Sequence, residues 1–499
     1  MTSTFYGLEA ARSGLNASQS GISVTSQNQA NANTAGYTRQ VLNQLSEGPG
    51  TGASRYLLSG PEIGGGVNIT GVVQIRNTFL DTRYRTQNSD NGMMQQIKSG
   101  LTDVASVVNE FSSTSSTTLQ GISGQLSSLI GSLQTYSATP DDANLPQTVK
   151  SAFSTLCQTI RSDYSKVQQL ESQDKADLKT VVEGNDGKGG VNEILTEISS
   201  LNRQIAAYEI TGQSANDLRD QRNVDLDKLS GYADIDVSEQ SNGMVTVKLH
   251  SDTSGNALIS SSNTVTGLKV NGTGTGVVWD DGSATAATVK GGTVAGYLTV
   301  INGDGTGSGA YGDFGIQAMY KKLNDFTNSF VAIVNSNVPA GGKALLDISA
   351  NTAEPASAVD LSSDWKTDNT LFSDNYTGTD KGSYILAYKT ALGTTKMSTL
   401  NAGNSKIVSY DGSLQDFADS ISTDISYQVN YYTSQAKASA SQLSTLDTER
   451  KSVSSVSSDD EAVNVIKYTQ SYNACARVIT AIDQMLDKLI NGTGVVGLS

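Results

Sequence analysis

With 499 residues the chain exceeds what a single ordinary core organises, and about three compact units are expected. A formal charge of −15 argues against electrostatic binding of nucleic acid, and the longest obvious apolar run, 330–334, is far too short to span a bilayer. Apolar residues make up only 37% of the chain, a lean composition for self-sufficient cores. Residues 1–18 show neither a basic n-region nor an apolar h-region, which excludes a cleaved secretory signal there.

The first thirty-odd residues read as an amphipathic helix. Leu8, Leu15 and Ile22 recur at seven-residue spacing, with Phe5, Ala11 and Ser18 on the adjoining ridge, so small residues stand where a partner helix must come close. Asn31, Asn33 and Thr34 break the pattern, and Gly36 supplies the permissive backbone of a helix exit. Short alternating stretches between Tyr56 and Val73, around Gly64 to Gly66, predict a β-hairpin or loop. Helices are expected over 77–109, 119–136 and 147–183, with a turn at Thr139-Pro140-Asp141-Asp142. After the glycines of 184–190, Ile194, Ile198, Leu201 and Ile205 mark another helix, 191–208. A short helix at 217–229 carries Arg219-Asp220-Gln221-Arg222, read as a solvated or salt-bridged face.

From about Ala233 the period changes to two. Met244 to Leu249 alternates, and β signals with Gly, Asn and Asp turns continue to Val300, which predicts an inserted β unit. Helix returns at 314–334, and 338–410 is mixed, short-stranded or irregular. Phe417, Ile421, Ile425 and Val429 open a long helix reaching Leu446 or Val453. The last helix, 461–490, is entered through Ser457 to Glu461, where Ser458 and Glu461 suggest a capping box and Asp459 and Asp460 suit the helix dipole. Tyr468, Cys475, Ile482 and Leu489 share one heptad position in it, and Val478 and Met485 the next, flanked by Tyr472 and Leu486.

The expected fold is mainly α with inserted β domains, discontinuous and nested, its terminal helices paired as an α-helical coiled coil. The expected division is a terminal coiled-coil domain (1-35 plus 457-499), a helical body (36-232 plus 311-337 plus 411-456), a β insertion (233-310) and a mixed segment (338-410) that forms a further insertion or half of a composite β unit.

Enzyme chemistry has no constellation to stand on. The single histidine, His250, rules out a zinc site that needs two and reads as a strand-end residue. Gly272 to Gly276 and Gly303-Asp304-Gly305 lack the Lys and Ser/Thr of a phosphate loop and the ligand spacing of a calcium loop. Cys157 and Cys475 lie far apart at apolar helical positions and read as buried thiols. No catalytic, cofactor-binding or metal-ligating residue is assigned.

Three segments carry a family resemblance. Asn33-Thr34-Ala35-Gly36-Tyr37-Thr38-Arg39-Gln40 is similar to the N-terminal signature of bacterial flagellar rod, hook and hook-associated proteins, and its Tyr-Thr-Arg-Gln ending favours the hook-associated protein 1 family. Residues 218–229 resemble an internal helix of that family, and 457–489 its C-terminal domain. The resemblance implies a non-enzymatic adaptor joining hook to filament by ring-like self-assembly through its terminal helices. It also implies contacts with the hook protein and a second junction protein, and an export chaperone at the C-terminal region. Location would be extracellular, on the flagellum, after type III export without a cleaved signal. The assembly interface expected on this basis comprises Leu8, Leu15, Ile22, Asn33, Gly36, Tyr37, Arg39, Tyr468, Tyr472, Cys475, Val478, Ile482, Leu486 and Leu489. Another axial subunit of hook or rod type, or a secreted adhesin acting through the β insertion, are the alternatives.

Overall fold

Two long helices bracket the molecule: α1 (Thr4–Ala30) and α15 (Ser458–Thr493) lie against each other, although they are the first and last elements of the chain. In this computed structural model residues 4–47, 65–109, 121–184, 190–307, 313–376, 378, 380–400 and 407–493 are described. The pairing is antiparallel and in one register: Gly7 faces Ile482, Gly14 faces Cys475 and Gly21 faces Tyr468, while Ser18 Oγ donates to Ser471 Oγ at 3.1 Å. The molecule is mainly α, with 65% of the described residues helical and a few short strands.

This register keeps Ala11 and Ser18, the small residues expected at the close approach, and corrects the place of the large ones. The α1 face turned to α15 is Gly7, Ala11, Gly14, Ser18 and Gly21, at alternating steps of four and three. Leu8, Leu15 and Ile22 sit one position round the helix and are only half-buried. The opposite flank turns to the strands, where Val67 N–H donates to Ser13 Oγ at 3.1 Å. The physical reason is distance. A Cβ on Gly21 would lie 2.6 Å from the Tyr468 ring and one on Gly14 2.9 Å from Cys475 Sγ, so the axes come closer than a leucine seam allows. The large side chains of the pair are all contributed by α15.

After α1 the chain forms β1 (Gln40–Glu47), which pairs antiparallel with β2 (Gly66–Gln74), with an irregularity between Asn43 and Gln44. Of the hairpin expected over 56–73, residues 56–64 lie outside the described residues, and the remainder pairs with β1 rather than within itself. The body then begins with α2 (Thr78–Asn109), α3 (Gly121–Ala138), α4 (Leu145–Glu183), α5 (Val191–Glu209) and α6 (Asn216–Tyr232), close to the boundaries read from periodicity.

The β unit is smaller than the sequence predicts. It holds two hairpins, β3 (Ile235–Glu239) with β4 (Val245–Leu249) and β5 (Leu268–Val270) with β6 (Val277–Trp279). The stretch expected to continue as β is instead a helix, α7 (Gly292–Asn302). Its Thr and Val content favours strands in isolation, but burial against α2 overrides that preference. A Cβ on Gly296 would lie 2.6 Å from Gln96 Cβ, and one on Gly100 would meet Val300 at 2.7 Å.

Next comes α8 (Ile316–Ser336), followed by a mixed region in which β7 (Leu346–Asp347) pairs with β8 (Asp360–Leu361). Short helices α9 (Pro355–Ala358), α10 (Ser363–Thr367) and α11 (Leu371–Asp374) are packed around them, with α12 (Lys381–Gly393) and α13 (Met397–Leu400) beyond. The α12 helix departs from the mixed, short-stranded or irregular expectation for 338–410: Asp380 caps it by accepting from Ser383 N–H at 2.9 Å, and Ile385, Tyr388 and Leu392 make its stripe. The long α14 (Leu414–Ser454) opens with a capping box between Ser413 and Asp416 and returns alongside α2.

Two apolar clusters hold the body. The larger joins α2, α3, α4, α8 and α14 with an aromatic group in which Phe153 meets Trp365 edge-on at 5.1 Å. The smaller joins the end of α4 and α5, α6 and α7 to the β unit around Trp279. Among the described residues neither contains a member of α1, β1, β2 or α15. The terminal coil is therefore attached to the body by something other than a shared apolar core.

Candidate functional site

The attachment is a polar knot built on the Asn33–Gln40 segment. Gly36 turns the chain with φ +81°, where an L side chain is strained, and an added Cβ would lie 2.2 Å from Val224 of α6. The side chains of the four residues that follow reach three helices, α1, α6 and α15. Tyr37 Oη donates to Asn28 Oδ1 of α1 at 2.9 Å. Thr38 gives both its N–H and its hydroxyl to the Asp220 carboxylate of α6, at 2.9 and 2.6 Å. Arg39 Nε donates to Glu461 Oε1 of α15 at 2.7 Å, and its N–H donates to the Ser454 carbonyl that ends α14. Gln40 Nε2 donates to Asp217 Oδ1 at 3.2 Å.

Asn28 closes the knot. Its amide donates to the Gln40 carbonyl at 2.8 Å and to Glu461 Oε2 at 3.3 Å, and its Oδ1 accepts from Gln40 N–H. Glu461 is only 2% exposed. It does not close the capping box expected with Ser458. Ser457 caps α15 instead, its Oγ accepting from Asp460 N–H, and Glu461 reaches across to α1 and Arg39. A buried carboxylate is stable there because a guanidinium and an amide both donate to it.

The charge network continues into the body. Arg76 forks onto Asp81 at 2.7 and 3.1 Å and also donates to Thr38 Oγ1. Arg85 and Arg450 share Asp227, and the Arg450 guanidinium lies over the Tyr84 ring at 3.8 Å from its centroid. The Arg219–Arg222 run, expected as a solvated or salt-bridged face, is a hub of the interior. Arg219 forks onto Glu209, while the buried Arg222 donates to Asn202 Oδ1 and the Gly243 carbonyl. Burial pushes the Arg222 guanidinium down to about 10 and raises the Asp220 carboxyl above its ordinary range. Tyr37 is pushed up to about 12, first by burial and then by the carboxylates of Asp217, Asp220 and Glu461. Asn28 is a member of this site that the sequence reading does not name, and Asp220 and Glu461 are named there in other roles. Their one signal is polar residues at seam or helix-interior positions.

The expected interface residues divide into three groups. Gly36, Tyr37 and Arg39 serve the knot, while Asn33 stays exposed on its turn. Tyr468, Cys475 and Ile482 face the glycines of α1, inside the coil. On the outside, Tyr472, Val478 and Leu489 are exposed at 36%, 48% and 55%, and Leu8, Leu15, Ile22 and Leu486 are half-buried. Cys157 is buried, its thiol pushed up to about 12, and Cys475 is half-buried. His250 follows β4, exposed, with Nδ1 2.9 Å from Asp236 of β3. No group of acidic, histidine or cysteine side chains among the described residues is arranged to hold a metal, and no described helix is long and apolar enough to cross a membrane.

Residues 108–344 match the family described as the flagellar hook-associated protein FlgK helical domain, and 452–492 match the flagellar basal body rod FlgEFG protein C-terminal family. Flagellar hook-associated protein 1 of Bacillus subtilis (strain 168) is 29% identical over 544 aligned residues, covering 100% of both chains. The chain carries a match to the FlgK helical domain and is similar along its whole length to flagellar hook-associated protein 1. The Salmonella typhimurium member is 30% identical over 47% of this chain and 39% of its own length, and the Escherichia coli (strain K12) member 27% over 48% and 41%. The chain thus spans about two fifths of those enteric members and the whole of the Bacillus one. The solved flagellar hook junction protein FlgK from Burkholderia pseudomallei superposes with a TM-score of 0.43 at 21% identity, over 54% of this chain and 46% of that one. In this chain the family's rod-type C-terminal segment is α15, and its helical domain runs from the end of α2 to the β7 region.

Proposed function

We propose that this chain is a structural adaptor subunit joining the hook to the filament of a bacterial flagellum. The observation that carries the reading is end-to-end relatedness to a hook-associated protein 1, combined with a terminal coil fixed to the body through a polar knot. In this reading the terminal domain (1-35 plus 457-499) assembles around the flagellar axis. The body (36-232 plus 311-337 plus 411-456) and its insertions (233-310 and 338-410) space and decorate it. Copies form a ring; the hook protein lies below and a second junction protein above. The half-open apolar residues Leu8, Leu15, Ile22, Val478, Leu486 and Leu489 supply contact surface, while the knot holds the coil at a set angle. A coil exposing this much apolar area suits a subunit that meets its neighbours only at its destination. Export without a cleaved signal, with a chaperone covering α15 beforehand, belongs to the same reading. The work is mechanical, with no reaction to catalyse.

Electron microscopy of cells lacking this gene, with an immunoblot of the medium for flagellin, tests it. Hooks without filaments and flagellin shed into the medium are the expected result. Loss of hooks would move the protein to the rod or hook, and normal filaments would overturn the junction role.

A further inference from the structure

The outer side of α15, turned away from α1, is not the polar surface a finished two-helix coil presents. Val463, Ile466 and Met485 are exposed at 49%, 57% and 54%. Between them stand Lys467, Arg477 and Lys488, all exposed and without an ion-pair partner among the described residues. At 100° per residue, Val463, Ile466, Arg477 and Lys488 fall within about 60° of one another on the side opposite Tyr468, Cys475 and Ile482, and Lys467 lies on the flank of that face. This face is an apolar strip edged with cations.

Its complement is on the same molecule. Beside the root of the coil, α5, α6 and the 31–37 turn enclose an open groove of about 700 Å³. Leu201 and Val224 give it an apolar floor, and the exposed carboxylates of Glu197 and Asp217 stand at its rim, while Asp220 and Asp225 are buried beneath and already held by Thr38 and Lys228. The coil cannot fill the groove of its own chain. It leaves the body at Glu461, and Arg477 lies about 24 Å further along the helix axis at 1.5 Å per residue.

We propose that the outer face of α15 of one copy docks into the acidic groove beside the coil root of the next copy. Apolar residues meet the Leu201 and Val224 floor, and the unpaired cations meet the carboxylate rim, so the contact fixes orientation as well as adhesion. The inference rests on the reading that copies assemble through their terminal coils, and it names the surface that receives the coil.

The test uses the full chain in assembled flagella. A Gln470→p-benzoylphenylalanine variant places a photo-cross-linker on the outer face. The expected adduct, read by mass spectrometry, joins residue 470 to the 197–228 stretch of a second copy. An adduct to a different flagellar subunit, or none, overturns the proposal. Reversing three charges and adding a fourth gives an independent arm. K467E with R477E, or E197K with Q221K, is expected to cut the adduct formed by this variant about tenfold, and combining all four to restore most of it. Restoration no better than either pair alone overturns the proposal, provided circular dichroism shows unchanged helix content. If gene deletion abolishes filaments while the charge variants cross-link as the parent does, only the docking is wrong. If deletion leaves filaments normal, the junction role falls first.

Discussion

Replacing single glycines of α1 by alanine should change the stability of the coil in opposite directions, according to position. At Gly7 an added Cβ would sit 3.6 Å from Ile482 Cδ1, an ordinary contact, so Gly7→Ala keeps only the gain in helix propensity, about 0.5–1 kcal/mol. At Gly21 the same Cβ would lie 2.6 to 2.7 Å from three atoms of the Tyr468 ring. A rigid ring cannot yield by rotating one bond, and overpacking costs about 1–3 kcal/mol. After the propensity gain is subtracted, Gly21→Ala is expected to be destabilising by about 1–2 kcal/mol, a factor of about 5–30 in local opening. Gly14 should fall between, because Cys475 Sγ is the end of a short side chain that can swing aside. Amide hydrogen exchange along α1 and α15 of the full-length protein is the assay, since global melting would report mainly the two body cores. Slower exchange in Gly7→Ala and faster exchange in Gly21→Ala are expected, with Tyr468→Ala relieving the second. Equal protection by both alanines would refute the register and the account of the seam.

Further predictions concern the knot and the body. Removing the Glu461 carboxylate by Glu461→Ala should cost about 3–5 kcal/mol of coil docking, and Arg39→Ala should add little on that background; a double-mutant cycle in exchange protection checks this, and additivity would refute the pairing. Gly36→Ala should destabilise through both its positive φ and its contact with Val224, so Val224→Ala should recover part of the loss but not all; chemical denaturation of the three variants tests it. Asp174, buried on α4, is pushed up to about 7 by burial and by the carboxylates of Asp103 and Asp177, and its Oδ2 has no hydrogen-bond partner. With the folded value above the unfolded one of about 4, the folded state holds the extra proton, so stability from this group is complete at low pH and is lost as pH rises towards and through 7. Asp174→Asn should therefore raise the melting temperature at pH 8 and leave it little changed at pH 4; an equal effect at both pH values would refute the shift.

Local chemistry made much of this molecule readable in advance. The helices of the body follow periodicity and glycine breaks that act within a few residues, so their ends fell close to where the spacing put them. The Asn33–Gln40 segment was recognisable because its glycine and its polar run are a local pattern, whatever they later touch. The order of helical, β and helical segments followed from the change of hydrophobic period at about Ala233 and back again.

What needed the tertiary structure was every decision made by proximity between distant parts of the chain. Heptad counting on α1 alone selects Leu8, Leu15 and Ile22, because it rewards apolar size; only the approach of Tyr468 and Cys475 shows that Gly21 and Gly14 form the seam. Glu461 three residues after Ser458 reads as a capping partner, but Arg39 and Asn28, more than four hundred residues away in sequence, offer its carboxylate better-paired burial. Asp220 and Arg222 read as a solvated or salt-bridged face, and it is Thr38 and Asn202 closing over them that makes them interior. The α7 segment has the residues of a strand and becomes a helix because α2 leaves a slot that its small residues fit. In each case the sequence by itself determines what a segment can do alone, through backbone preference and spacing. Long-range packing and the cost of leaving a buried charge unpaired then determine which of those options is taken.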